Sequence, residues 1–224
     1  MKYLSKRFIG KYRIIGLILL ILLILFGSTP AITSIMMGMS RDIVFIITVG
    51  YALFTLIFYL IFYRRHQNKM GVLNTLKVLV VGFVSILTLS YLLGMIFGSN
   101  ASISQNQEAI ENMLALNFSP ALIAYMVLLA PAVEEYTFRE YLPGIIRKIF
   151  KKTDQNLRDI ISLILANIVF ALMHIPTDLY SFLVYFSLGF VLVMVRYLTN
   201  SLRLSAYLHS LWNLTSVVIL YFAL

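Results

Sequence analysis

From Ile14 to Phe26 the chain is apolar except at Gly16, and comparable runs recur as far as the C-terminus. A run of this length and kind reads as a membrane-spanning helix, which needs roughly 20 residues. Composition supports the same reading, with 61% of residues hydrophobic and 12% charged, against about 45–50% and about 25% in soluble domains. One core could not bury that excess, so a water-soluble globular fold is excluded. Disorder requires the opposite composition and is excluded too. The expected fold is all-α, a polytopic transmembrane helical bundle. At roughly 20 residues per span plus short loops, 224 residues hold about seven spans, within a range of six to eight, and leave no room for a soluble domain. The chain has no cysteine, which removes disulfides, thiolate metal ligands and cysteine nucleophiles.

The spans are expected at 14–36, 43–63, 78–98, 120–142, 160–175, 179–198 and 204–223. Between the third and fourth, Ala109 to Leu116 is weakly amphipathic and is expected to lie in the interface or re-enter. No internal repeat supports an inverted-repeat transporter. The first span follows a basic start but lacks a clear cleavage site, so it reads as an uncleaved signal anchor.

A net charge of +9 suggests nucleic acid, but its distribution does not. The N-terminus, the gap from Arg64 to Lys77, the gap from Arg147 to Arg158, and the Arg196 and Arg203 region together hold 16 of the 18 basic residues. The alternate gaps hold Arg41 together with Asp42, Glu108, Glu111 and Asp178. By the positive-inside rule the N-terminus is cytoplasmic, and no nucleic-acid partner is expected.

Ionisable groups at membrane depth are costly and usually face a protein interior or a water-filled cavity. Three clusters qualify. In the first, Glu135 and Arg139 lie four residues apart on one helix face, in the favourable order. Glu134 is rotated about 100° from Glu135 and cannot share that arginine equally. One carboxylate is thereby paired and the other left for chemistry. Pro131 cannot donate to the Val127 carbonyl and should loosen the helix just before the pair. In the second cluster Asn167, Phe170 and His174 share a face of the fifth span. In the third, His209 and Asn213 are again four apart, and an imidazole and a carboxamide so placed can both donate to one oxygen. Each cluster alone is equally compatible with plain interhelical hydrogen bonding or a salt-bridged helix end. Together they supply a carboxylate base, a histidine and a donor pair, the parts of a hydrolase.

Glu134-Glu135-x-x-x-Arg139, Phe170-x-x-x-His174 and His209-x-x-x-Asn213, in that order on successive apolar helices, resemble the three signatures of the CPBP family. This family of CAAX proteases and bacteriocin-processing enzymes, also called Abi, includes the type II CAAX prenyl endopeptidases. The resemblance covers about residues 120–220. It divides the chain into N-terminal helices and a connecting loop, 1–119, and a catalytic core, 120–224. It implies an intramembrane endopeptidase in which Glu134 and His174 activate a water while His209 and Asn213 stabilise the oxyanion. Glu135, Arg139 and Phe170 would support the site. Two chemistries stay open, a divalent metal such as zinc held by Glu134, His174 and His209, or a metal-free glutamate mechanism. The implied partners are membrane lipid and a peptide or membrane-protein substrate. A bacteriocin or its precursor is one such substrate, in self-immunity or peptide maturation in a bacterial plasma membrane. A non-catalytic immunity protein that binds a bacteriocin, and a proton-coupled transporter using the same Glu and His as a relay, are the competing functions. One difficulty stands. His174 falls near the outer end of the fifth span, whereas Glu134 and His209 fall nearer the cytoplasm. Convergence would then require a fifth span that starts late, tilts or sits displaced towards the cytosol, which an interfacial helix within 143–159 would allow.

Overall fold

The computed structural model describes residues 70–98, 102–116 and 125–223, with isolated positions at 123 and within 38–53. The expected span 14–36, and with it the signal anchor, lies outside the described residues, and span 43–63 is described only at isolated positions. All regular structure among the described residues is helical.

Helix α1 (Val72–Phe97) opens the described bundle. It stops at Gly98, whose φ of 53° with ψ of −133° suits glycine alone. Helix α2 (Gln105–Leu116) follows. The third helix, α3, runs continuously from 125 to 149 in four parts. Tyr125–Leu129 is π-helical, Ala130–Glu135 α-helical, Tyr136–Tyr141 π-helical and Leu142–Ile149 α-helical. Helix α4 (Gln155–Leu172) is capped by Asp154, whose carboxylate accepts from the N–H groups of Asn156 and Leu157. Helix α5 (Leu179–Thr199) begins with a reciprocal cap between Asp178 and Ser181. It ends at Asn200 in the left-handed region. Helix α6 (Leu202–Ala223) completes the chain.

Helices α1, α4 and α5 are long and apolar enough to cross a membrane. On α1, Val81, Tyr91, Met95 and Ile96 are all exposed, as a lipid-facing helix requires. The chain is therefore a helical membrane bundle. Its core gathers Ile86, Val133, Phe138, Phe170, Leu192 and Leu208 from five helices. Close approach of α4 to α5 depends on Gly189, where any Cβ would collide with the Asn167 side chain. Asn167 uses that proximity to donate from Nδ2 to the Phe186 carbonyl at 2.9 Å.

The piece around Ala109 to Leu116 is the end of a longer helix packed on the bundle, with Leu114 buried among Met126, Val127, Ala130 and Val217. One expectation is corrected. The fourth span runs to Ile149, beyond the expected residue 142, and 143–149 continues α3 instead of forming an interfacial helix. Its cationic end had read as loop, but Arg147 is held inside by an ion pair with Asp159 at 2.8 Å.

That extension resolves the problem of depth. Glu134 stands fifteen residues before Ile149, about 22 Å along α3, and His174 lies about 28 Å along the neighbouring antiparallel path from Gln155. The α5–α6 turn is recessed in the same direction. Ser201 and Leu202 are buried, and Arg196 at the end of α5 pairs with Glu140 of α3 at 2.8 Å. His209, seven residues into α6, therefore reaches the level of Glu134 with no displaced helix. The buried Arg196–Glu140 pair also corrects the reading of Arg196 as a loop cation.

Candidate active site

The first acidic pair occupies the short α-helical stretch between the two π-helical parts of α3, and every residue of Ala130–Glu135 is buried. A π register pairs each carbonyl with the N–H five residues on. For Met126 that partner would be residue 131, and Pro131 has no N–H. Asn213 of α6 fills the vacancy by donating from Nδ2 to the Met126 carbonyl at 2.9 Å. The proline thus leaves the Met126 carbonyl open to a donor from another helix. The freed group ties α3 to α6.

Glu135 is fully buried and collects three partners. Ser205 donates its hydroxyl to Oε2, His209 approaches Oε1 through Nδ1 at 3.2 Å, and Arg139 Nε lies 3.4 Å from Oε2. The Arg139 guanidinium also sits 4.6 Å above the Phe170 ring, a cation–π contact that suits a charge withheld from water. Glu134 points elsewhere. Its Oε2 lies 3.7 Å from His209 Nε2, too long for a direct hydrogen bond and suited to a shared water.

Both imidazoles have one nitrogen committed. His174 lies two residues past the end of α4, in a tight turn in which its N–H bonds to the Ala171 carbonyl at 3.2 Å. Its Nδ1 is 2.8 Å from the Phe170 carbonyl. A carbonyl only accepts, so Nδ1 carries the hydrogen and Nε2 of the neutral ring keeps its lone pair. By the same reasoning the Glu135 carboxylate fixes a hydrogen on His209 Nδ1. His209 Nε2 can then donate only when the ring carries both hydrogens. The Phe170 ring separates the two, with centroids 4.7 Å from His174 and 5.9 Å from His209. Immediately after His174, Ile175 takes a φ of 49°, a strained choice for a β-branched residue that costs roughly 1–3 kcal/mol. Its carbonyl is held by the N–H of Gln105 at 3.2 Å.

Glu134, His174, His209 and Asn213 line one cavity of about 90 Å³, room for a few waters at about 30 Å³ each. Glu135, Arg139 and Phe170 stand behind it. Asn106, Gln107 and Ile110 of α2 form part of its wall. Among the described residues, no three side chains of His, Cys, Asp or Glu are grouped so as to hold a metal ion. His209 gives Nδ1 to Glu135 and His174 gives Nδ1 to a carbonyl, which leaves Nε2 of each ring uncommitted.

Two residues of the site were missed in the sequence. Ser205 stands four before His209 and eight before Asn213, so its place on their face of α6 was legible from spacing. Tyr185 of α5 lines the cavity and stacks on His174 with ring centroids 4.0 Å apart. No local pattern announced it.

A helical membrane bundle with a glutamate, two oriented histidines and an asparagine around one small cavity defines a class of membrane-embedded proteins. Residues 116–215 match the family described as type II CAAX prenyl endopeptidase Rce1-like. The chain is also 32% identical over 144 residues to UPF0177 protein YvdC of Lactococcus lactis subsp. lactis (strain IL1403), a match covering 63% of this chain and 51% of the relative. The chain thus spans about half the length of the curated relative it matches. No solved structure matches it. Both similarities support the resemblance of the three motifs to the CPBP family.

Proposed function

We propose that the chain is an intramembrane endopeptidase that hydrolyses a peptide bond with a water activated by Glu134 and His174. One observation carries this reading. Glu134, His174, His209 and Asn213, drawn from three separate parts of the chain, line the same small cavity.

The reaction can be written on these groups. A water in the cavity gives one proton to the Glu134 carboxylate, while its remaining hydrogen stays on oxygen and donates a hydrogen bond to His174 Nε2. The resulting hydroxide adds to the peptide carbonyl carbon, and the carbonyl π pair moves onto oxygen. His209 as imidazolium donates from Nε2 to that oxyanion. The Nδ2 hydrogen of Asn213 not used by Met126 donates as well. Collapse expels the amine, which takes the proton from Glu134. Glu135 acts behind the reacting atoms by holding His209 Nδ1 and so orienting its ring. We assign the biological role to peptide maturation or bacteriocin self-immunity at a bacterial plasma membrane.

The test uses the purified chain in detergent or liposomes and a fluorogenic peptide library. Glu134→Gln is expected to reduce kcat at least 100-fold, in line with the roughly 10²–10⁴ contributed by a general base. A wild-type rate in that variant overturns the assignment. Protection of cells against a bacteriocin by a Glu134→Ala/His209→Ala double variant would move the role to binding.

A further inference from the structure

We infer that Tyr185 is a positioning residue that holds the His174 imidazole in the orientation the reaction uses, an assignment that rests on the hydrolytic reading above. His174 is beyond the last turn of α4, so no helix restrains its side chain. One hydrogen bond, from Nδ1 to the Phe170 carbonyl, fixes a ring nitrogen but leaves rotation about that contact. The missing restraint comes from the ring faces. Phe170 meets the imidazole edge-on at 61°. Tyr185 lies nearly parallel to it, at 21° and 4.0 Å between centroids, and prevents it from swinging out of plane.

Tyr185 is itself restrained. Its hydroxyl accepts from Ser104 Oγ at 3.1 Å, and the same serine accepts from the N–H of Gln107 at the start of α2. The segment carrying Ser104 is bound to the turn after His174 by Gln105 N–H donating to Ile175 and by Thr177 donating to the Ile103 carbonyl at 2.8 Å. The aromatic plate therefore sits on α5, is fixed from α2, and presses on a residue that follows α4. Phenylalanine retains the stacking face, whereas leucine removes it at similar bulk.

Two readouts test this. In cleavage assays Tyr185→Leu is expected to lower kcat about 10- to 100-fold, the scale of a misplaced catalytic group, with KM within about threefold. Tyr185→Phe should stay within about threefold of wild type in both. The second readout needs no activity. Nitrogen-15 histidine spectra of the full chain, assigned through His66→Gln and His174→Gln, should show His174 as a fixed Nδ1–H tautomer with ring protons shifted upfield. Tyr185→Phe should preserve that signature and Tyr185→Leu should average it. A wild-type spectrum without a fixed tautomer or upfield shift overturns the proposal, even if Tyr185→Leu does not fold. So does an unchanged His174 signal in Tyr185→Leu, or a Tyr185→Phe variant as impaired as Tyr185→Leu. If Glu134→Gln cleaves normally, the hydrolytic reading falls, while the spectra still decide what holds His174.

Discussion

Partners divide the labour among the polar side chains beside Glu134. Glu135 is spent on Ser205, His209 and Arg139, while Glu134 keeps its carboxylate toward the cavity. Adjacent identical residues thus receive opposite assignments because a helix turns them about 100° apart. Asn213 serves twice, since one amide hydrogen closes the carbonyl that Pro131 leaves open and the other stays available. Replacing it by alanine should lower kcat about 10²-fold, as for loss of one oxyanion donor. It should also lower Tm, because the buried Met126 carbonyl loses its donor. Parallel kinetics and thermal unfolding check both effects. A change in Tm alone would leave Asn213 a purely structural residue.

At the scale of elements, the close fit of α4 against α5 and the capping of α5 place His174 and Tyr185. Gly189→Ala would drive a methyl into Asn167 and Phe170. Overpacking of this kind costs typically 1–3 kcal/mol, so a lower Tm in detergent is expected. An unchanged Tm would show that the two helices separate freely. The start of α5 carries a pH-dependent restraint. The Asp178 carboxylate accepts from Ser181 N–H at 2.7 Å, Ser181 Oγ at 2.8 Å and Ser102 N–H at 3.3 Å. The Ser181 and Ser102 bonds hold its pKa down to about 2 from the usual 3.8. A depressed carboxylate stabilises the fold above its unfolded pKa and loses that effect as pH falls through the folded one. The Tm difference between wild type and Asp178→Asn should therefore be constant above about pH 5 and vanish toward pH 2. Melting curves across that range decide it, and a difference that persists at pH 2 would assign the cap's strength to something other than charge.

For the whole molecule, membrane orientation follows from charge. Lys148, Lys151 and Lys152 crowd the α3–α4 turn, and Asp178 with Glu108 and Glu111 marks the opposite end. With no native cysteine, single substitutions are clean probes. Lys152→Cys should react with a membrane-impermeant maleimide only from the cytoplasmic side, and Ile103→Cys only from the outside. The reverse pattern would invert the bundle. Both side chains are exposed in the structure, so failure to label would not come from burial.

Hydropathy and spacing alone settled the class of fold, the order of the helices and the faces on which Glu134, Glu135, Arg139, His209 and Asn213 lie. These are local properties, since apolar length sets a span and a period of about 3.6 residues sets a face. Helix ends were less legible, because a charged residue such as Arg147 reads as loop until its partner on another helix is known. Tertiary structure decided the rest. It brought His174 to the depth of Glu134 through an extended α3 and a recessed α5–α6 turn. It fixed the His209 tautomer through the Glu135 carboxylate of another helix, whereas the Phe170 carbonyl that fixes His174 is local. It also placed Tyr185 on His174 across a separation in sequence that no periodicity spans. Contacts between elements depend on which faces meet and how closely, and at Gly189 a single missing Cβ sets that distance.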